Sequence, residues 1–454
     1  MELPSDFASR NAYYDDWEVP LQRIYANQKQ LFDDMGPFDV RLLRMDRQQD
    51  TILRPKALFE LGELLQKTSG DGFRILSFCQ EFSLSPLMCS KEAMLTVIKT
   101  WQISSMFVDV LLKFGDQPQV FQESSGFRQL CQSRDQSFEL CYQFMYVERN
   151  GRRPPRDTWS FRQTGVMHKF SFESRSSQIV IIHPSDDAVA QSKLEAMAES
   201  SHRAQLTRHP LTVHLIIIWS YLANWQDHIE SLASDLEQIR RRIDVADISE
   251  PDAIPAINPE RLQTLRHIED KIVCKACKCL RSNIVLVKTL MSINTAFATK
   301  IPSLGESSYS VHQELQIMEH RLESHINAAE TLAQRVQATL GLLTNLLDIG
   351  NQANSREIST RILRLTQEGV DDNATVKVIT VFTLIYLPAS FVASFLGMNV
   401  FDFKSEDGSL RASPQFWIYV VTTVPLTMLT VGAWYLYKTR HNKLRKAKSF
   451  AESV

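Results

Sequence analysis

The sequence predicts an α+β membrane protein: an α/β domain, a stalk of long helices and two carboxy-terminal transmembrane helices. Three observations carry that reading. Residues 378–401 and 412–437 hold no charged side chain, no proline interrupts residues 303–387, and short β-branched or aromatic runs alternate with helical periodicity ahead of residue 208.

A chain of 454 residues has room for about three domains of roughly 150 residues each. Fifty Lys and Arg against 52 Asp and Glu leave a net charge of −2, without the basic excess of a nucleic-acid binder, so nucleic acid is not expected as a partner. Cys79, Cys89, Cys131, Cys141, Cys274, Cys277 and Cys279 form no secretory disulfide framework, which points to a reducing compartment. The opening MELPSDFASRNAYYDDWEVP has early acids and no apolar core, so neither a signal peptide nor a transit peptide is expected there. Along the chain no glycine-rich phosphate loop and no Ser/His/Asp constellation stands out, and enzymatic activity is not expected.

In chain order, FRILSFCQEFSL, TWSFRQTGVMHKFSF and SQIVIIHP read as strands, and residues 58–66, 91–114 and 210–243 as helices. Longer amphipathic helices follow over 211–243, 259–298 and 309–347, the first two parted by the proline-rich ISEPDAIPAINPE. The expected division is a cytosolic α/β domain over 1–208, long helices and stalk over 209–375, a first transmembrane helix over 376–399, an external loop over 400–415, a second transmembrane helix over 416–437 and a basic cytosolic tail over 438–454.

Each uncharged run exceeds the roughly 20 residues that cross a hydrocarbon core of about 30 Å, so membrane lipid is an expected partner. Phe416 and Trp417 open the second run and Trp434, Tyr435 and Tyr437 close it, placing amphipathic rings at two interfaces. Lys438, Arg440, Lys443, Arg445, Lys446 and Lys448 then hold that end in the cytosol. The connecting loop, with Lys404 and Arg411 against Asp402, Glu406 and Asp407, is the translocated side. Two crossings return the chain, so both termini are expected in the cytosol. The cytosolic bulk and missing leader favour the plasma membrane over the vacuole or mitochondrion.

Within the first span, Thr380, Thr383, Ser390 and Ser394 fall inside an arc of about 80° that also contains Leu387, while Tyr386 lies off it. Hydroxyls avoid lipid, so the stripe faces either a neighbouring helix or a water-filled lumen. The same line runs back through Val376, Asn373 or Asp372, Gly369, Leu365, Ile362 and Ile358, which reads as a packing seam. A seam of that kind calls for several copies of the chain, so a homo-oligomer is expected.

The first span ends in YLPASFVASFLGMNVF, and it starts with NATVKVITVFTLIYLP. This stretch resembles the CorA-type magnesium transporter family, whose Gly-Met-Asn motif at the outer end of the first of two carboxy-terminal spans is matched by Gly397, Met398 and Asn399. The resemblance covers residues 371–448, and DTWSFRQTGVMHKF and QIVIIHP are similar in a general way to fungal-type members. It implies a homopentamer with a cytosolic α/β funnel, a stalk continuous with the first transmembrane helix, and passive, channel-like transport of Mg²⁺ driven by the membrane potential. No cofactor is implied; Mg²⁺ enters as cargo and as a candidate regulator.

By the same resemblance, Asn399 and the Gly397 carbonyl form the outer selectivity ring with Met398 packing the turn, and Asn373 forms an inner ring, all meeting the metal mainly through its water shell. Neutral amides suit an ion that favours octahedral oxygen coordination and dehydrates reluctantly. Asp371 and Asp372 inside and Asp402 outside would concentrate cations. Leu387 and Ile379 are the candidate hydrophobic gates, closing a pore by dewetting. Two departures stand out: VFDFKSEDGSLRASP lacks the Met-Pro-Glu loop of many members, and Ile362 occupies the position of a regulatory carboxylate in bacterial ones, with Glu357 and Glu368 the nearest acids. Transport of Zn²⁺, Co²⁺ or Ni²⁺, or a membrane-anchored scaffold that transports nothing, are the alternatives. Cys274, Cys277 and Cys279 with His267 form a metal-like cluster that reads better as helix surface and core, and His214 reads as a core or interface histidine.

Overall fold

The computed structural model describes residues 17–34, 38–45, 50–67, 72–115, 129–133, 137–153, 156–200, 203–244, 259–395, 401–403, 410–412 and 416–451. Its elements run α1 (Glu18–Ala26), α2 (Gln28–Leu31), β1 (Val40–Met45), β2 (Asp50–Leu53), α3 (Leu58–Lys67), β3 (Phe73–Cys79), α4 (Lys91–Trp101), α5 (Met106–Leu111), β4 (Gln129–Ser133), β5 (Ser137–Arg149), β6 (Trp159–Ser171) and β7 (Ser177–His183). There follow α6 (Val189–Glu199), α7 (Arg203–Arg208), α8 (Thr212–Leu222), α9 (Asn224–Asp244), α10 (Pro259–Glu269), a π-helical turn (Asp270–Ala276), α11 (Cys277–Lys300), α12 (Gly305–Phe395), the short strands β8 (Phe401–Phe403) and β9 (Leu410–Ala412), and α13 (Phe416–Ala451). The chain divides into two compact units, Met1–Leu347 and Asp348–Val454.

The first unit is built on a seven-stranded sheet in the order β2-β1-β3-β7-β6-β5-β4, antiparallel except for the parallel pair β3 and β7. Strand alternation divides its side chains between two cores. Ile75, Leu140, Tyr142, Val166, Ile179 and Ile181 join the helices that follow the sheet, whereas Leu76, Phe78, Cys141, Met167, Val180 and Ile182 pack under α1, α3, α4 and α5. The expected boundary at residue 208 falls inside this unit, because the first of these cores runs unbroken from β5 through α8 to Leu346.

Local chemistry accounts for the edges of the elements. Ser90 caps α4 by accepting from the Ala93 amide, and Gln102 ends it in the left-handed region at φ 51. Gly165 sits where β6 passes α5: a Cβ there would lie 2.7 Å from the Phe114 ring and 2.9 Å from Val110. Helices α11 and α12 run antiparallel, joined by Asn294 donating to the Ser308 carbonyl at 2.8 Å and by Lys288 with Glu319 at 3.2 Å. Along α12 Leu315, Met318, Leu322, Ala329, Leu332, Val336, Leu343 and Leu346 are buried in steps of three, four and seven.

The second unit contains the remainder of α12, the β8–β9 ribbon and α13. Stalk and first span are one uninterrupted helix, as the proline-free stretch predicts, and α12 continues through Pro388. The helix that begins at the second span reaches Ala451, through the segment expected as a tail.

Candidate functional site

Val376–Ser394 and Phe416–Arg440 are long and apolar enough to cross a membrane, and almost none of either stretch is buried by protein. A soluble core helix would be covered, so these are membrane helices. Each is covered along one face: on α12 Leu384, Pro388, Ala389, Val392 and Ala393 are partly or fully buried, and on α13 Tyr419, Thr423, Leu426, Thr427, Thr430 and Trp434 are. The Tyr419 hydroxyl donates to the Ala389 carbonyl at 3.3 Å, a contact between the two helices.

The hydroxyl stripe is not part of it. Thr380, Thr383, Ser390 and Ser394 are all exposed, and at 100° per residue they stand roughly opposite the face that meets α13. Thr380 donates to the Val376 carbonyl at 2.7 Å, Thr383 to Ile379 at 2.8 Å and Ser390 to Leu387 at 3.1 Å. With those protons tied to their own backbone, the oxygens present lone pairs outward, so this face accepts hydrogen bonds. Water around a hydrated cation supplies donors, which makes the pairing chemically apt.

Leu387, on the same line, is 61% exposed, and Ile379 beside it is 60% exposed. Neither packs within its own chain. The seam below the span is equally bare: Ile358, Ile362 and Leu365 lie on the surface, and Glu357 near them pairs with Arg361 at 2.6 Å. Asn373, Asp371 and Asp372 occupy α12, and Asp402 lies on β8 opposite Arg411, as backbone positions only. Gly397, Met398 and Asn399 lie outside the described residues, as do Glu406 and Asp407.

The cysteine cluster does not converge. Cys277 and Cys279 point into the core, Cys279 lying 3.9 Å from the Met145 sulfur, whereas Cys274 is exposed. No group of three metal-ligating side chains occurs among the described residues. The π-helical turn carries Cys274 itself, and burial drives the Cys279 thiol up to about 12, away from thiolate character. His267 instead lies 3.5 Å from Asp157, which also pairs with Lys271. His214 is the core histidine the sequence suggests, fully buried and held on both ring nitrogens by Tyr142 and His168.

Sequence reasoning missed the α13 side of the contact, although Tyr419, Thr423, Thr427 and Thr430 already share a helical face in the sequence. It also missed β5, whose SFELCYQFMYVER is apolar on both faces and lacks the alternation of a half-exposed strand.

A family model described as CorA-like transporters matches residues 2–244, and one described as CorA-like Mg²⁺ transporter protein matches residues 166–438. Among solved structures, the full-length CmaX protein aligns at TM-score 0.41 and 15% identity over 90% of this chain and 98% of that one. The complete CorA magnesium transporter from Methanocaldococcus jannaschii aligns at TM-score 0.40 and 13% identity, covering 88% and 98%. A curated relative, notoamide biosynthesis cluster protein M' of Aspergillus versicolor, is 27% identical over 81 residues, which is 17% of this chain and 18% of that protein. The chain thus spans under a fifth of the length of that relative. Each family match takes in more than half of the chain, and one of them reaches through both membrane helices. The chain belongs to the CorA-like Mg²⁺ transporter family, a family of membrane transporters and not of enzymes.

Proposed function

We propose that this chain is a passive, channel-like transporter of hydrated Mg²⁺, working as a homopentamer in which copies of α12 surround a common axis. The observation that carries the reading is the hydroxyl face of Thr380, Thr383, Ser390 and Ser394, which is exposed on α12 and in which the first three hydroxyls donate to their own helix and leave lone pairs outward. Membrane family membership makes an axial lumen the natural destination for such a face. Ile358, Ile362 and Leu365 support assembly, since they fall outside the span and gain roughly 1–2 kcal/mol each when a neighbouring copy covers their exposed surface.

In this arrangement Asn399 and the Gly397 carbonyl hold the outer water shell and Asn373 the inner one. Asp371, Asp372 and Asp402 raise the local cation concentration, and Leu387 with Ile379 forms the apolar constriction. Both termini face the cytosol, in the plasma membrane. Inward movement of a divalent cation releases about 4.6 kcal/mol per 100 mV, so no nucleotide-driven step is needed.

Reconstitution in liposomes tests the proposal. Mg²⁺ flux is expected in the parent chain, with block by cobalt hexammine, a mimic of the hydrated ion, and flux at the level of empty vesicles in Asn399→Ala. Undiminished Mg²⁺ flux in that variant refutes the assigned filter. Flux of Zn²⁺, Co²⁺ or Ni²⁺ that ignores hexammine assigns a dehydrated cargo instead.

A further inference from the structure

Far along the chain from the membrane helices, the turn between β6 and β7 meets α7 around a cavity of about 450 Å³. Arg175 and Arg203 line it together with the hydroxyl residues Ser174, Ser177 and Thr207. Phe73 and Phe170 supply apolar wall, and no carboxylate is among the described residues that line the cavity. Arg175 holds the turn at φ 50, is exposed, and makes no hydrogen bond or ion pair among the described residues. The recess thus carries two guanidinium groups, of which Arg175 has no counter-charge among the described residues.

The back of the recess is wired into the core. Ser177 is only 2% exposed, and its hydroxyl lies 3.3 Å from Nε2 of His168. Nδ1 of His168 lies 2.9 Å from Nε2 of His214, whose Nδ1 lies 2.7 Å from the Tyr142 hydroxyl. Tyr142 is buried with His214 as its partner, so its proton must go to Nδ1 or be left without an acceptor, which costs about 1–3 kcal/mol. That choice sets every other tautomer. His214 donates from Nε2 to His168, His168 donates from Nε2 to Ser177, and the proton of Ser177 itself remains to be given to an acceptor in the cavity.

We infer that this cavity binds a phosphate monoester carrying an aromatic ring, of the nucleoside monophosphate class, with Arg175, Arg203 and the Ser177 hydroxyl taking the phosphate oxygens and Phe73 and Phe170 meeting the base. Forked guanidinium donors match a tetrahedral oxyanion, and a terminal hydroxyl at the end of a polarised chain adds a directed donor. The volume decides between an ion and an organic ligand. Cavities of roughly 300–1,000 Å³ accommodate small organic molecules, so an inorganic anion alone would leave the aromatic wall unused. The inference stands independently of the transport reading, because it uses only residues of the first unit.

Titration calorimetry on the full detergent-solubilised chain tests it, with AMP, inorganic phosphate and adenosine as three separate ligands. AMP is expected to bind at least tenfold more tightly than either of the others. Arg175→Gly, which relaxes the left-handed turn and leaves the core untouched, is expected to weaken AMP at least tenfold without lowering the melting temperature of the unliganded protein. Ser177→Ala, at the end of the buried chain, should weaken it by a smaller factor of about three to five. Absence of AMP binding, AMP no tighter than phosphate or adenosine, or unchanged AMP affinity in Arg175→Gly would each overturn the assignment.

Discussion

The two units of this protein solve opposite problems with the same apolar residues. In the first, Leu, Ile and Phe are buried on both faces of a seven-stranded sheet, and polar groups are paired inside it, with Ser77 donating to Gln191 at 2.7 Å and His183 bonded to the same side chain. In the second, Phe382 is 70% exposed and Met428 73% exposed, and the helices touch along one narrow face each. A single chain therefore completes its first unit and leaves its second unfinished. The missing contacts have to come from lipid and, in the proposed assembly, from further copies of the chain.

The largest way to break this contrast is acid. Burial holds His183, His209 and His228 down at about 4 and His214 at about 3, and it depresses His168 as well. In the unfolded chain these rings take a proton near 6.5, so stability is full above pH 6.5 and falls as pH drops toward 4, by on the order of 3 kcal/mol per ring. Thermal melts of the first unit against pH should show a steep decline across that window while the helical signal of the second persists. A flat profile from pH 7 to 4 would mean that the rings are not buried neutral.

Next in size is Gly165→Leu, which drives a side chain into Phe114 and Val110 and should cost about 3 kcal/mol. Denaturant unfolding measures it, and a loss below about 0.5 kcal/mol would contradict the close passage of β6 over α5. Ile362→Asp addresses the second unit alone. It is expected to disrupt assembly, read by light scattering in detergent, while shifting the stability of the first unit by less than about 0.5 kcal/mol. Intact oligomers would remove the seam from the interface. The smallest effect belongs to Cys274→Ser, an exposed position with no ligand role: stability within about 0.5 kcal/mol and no response to added Zn²⁺, checked by melting with and without the metal.

Legibility in the sequence followed the length scale of the signal. The two spans and the unbroken α12 could be read directly, because absence of charge and of proline over dozens of residues is a local property that no fold can disguise. The grouping of Thr380, Thr383, Ser390 and Ser394 was equally legible from helical geometry, but its direction was not. Packing between helices and lining a lumen impose the same spacing, and the position of α13 on the Leu384, Pro388 and Val392 face excludes only packing of the stripe on α13 of the same chain. The cysteines illustrate the converse: Cys274, Cys277 and Cys279 are close in sequence, yet the helix sends them to different sides.

By itself the sequence determined the membrane hairpin, the continuous stalk and the family motif, since each depends on residues near one another along the chain. Tertiary structure alone decided the strand order, the continuity of the first core across residue 208, the Tyr142–His214–His168–Ser177 chain and the cavity where Arg175 meets Arg203. These join residues far apart along the chain. Their proximity is bought by burial of the whole sheet, which no local pattern encodes.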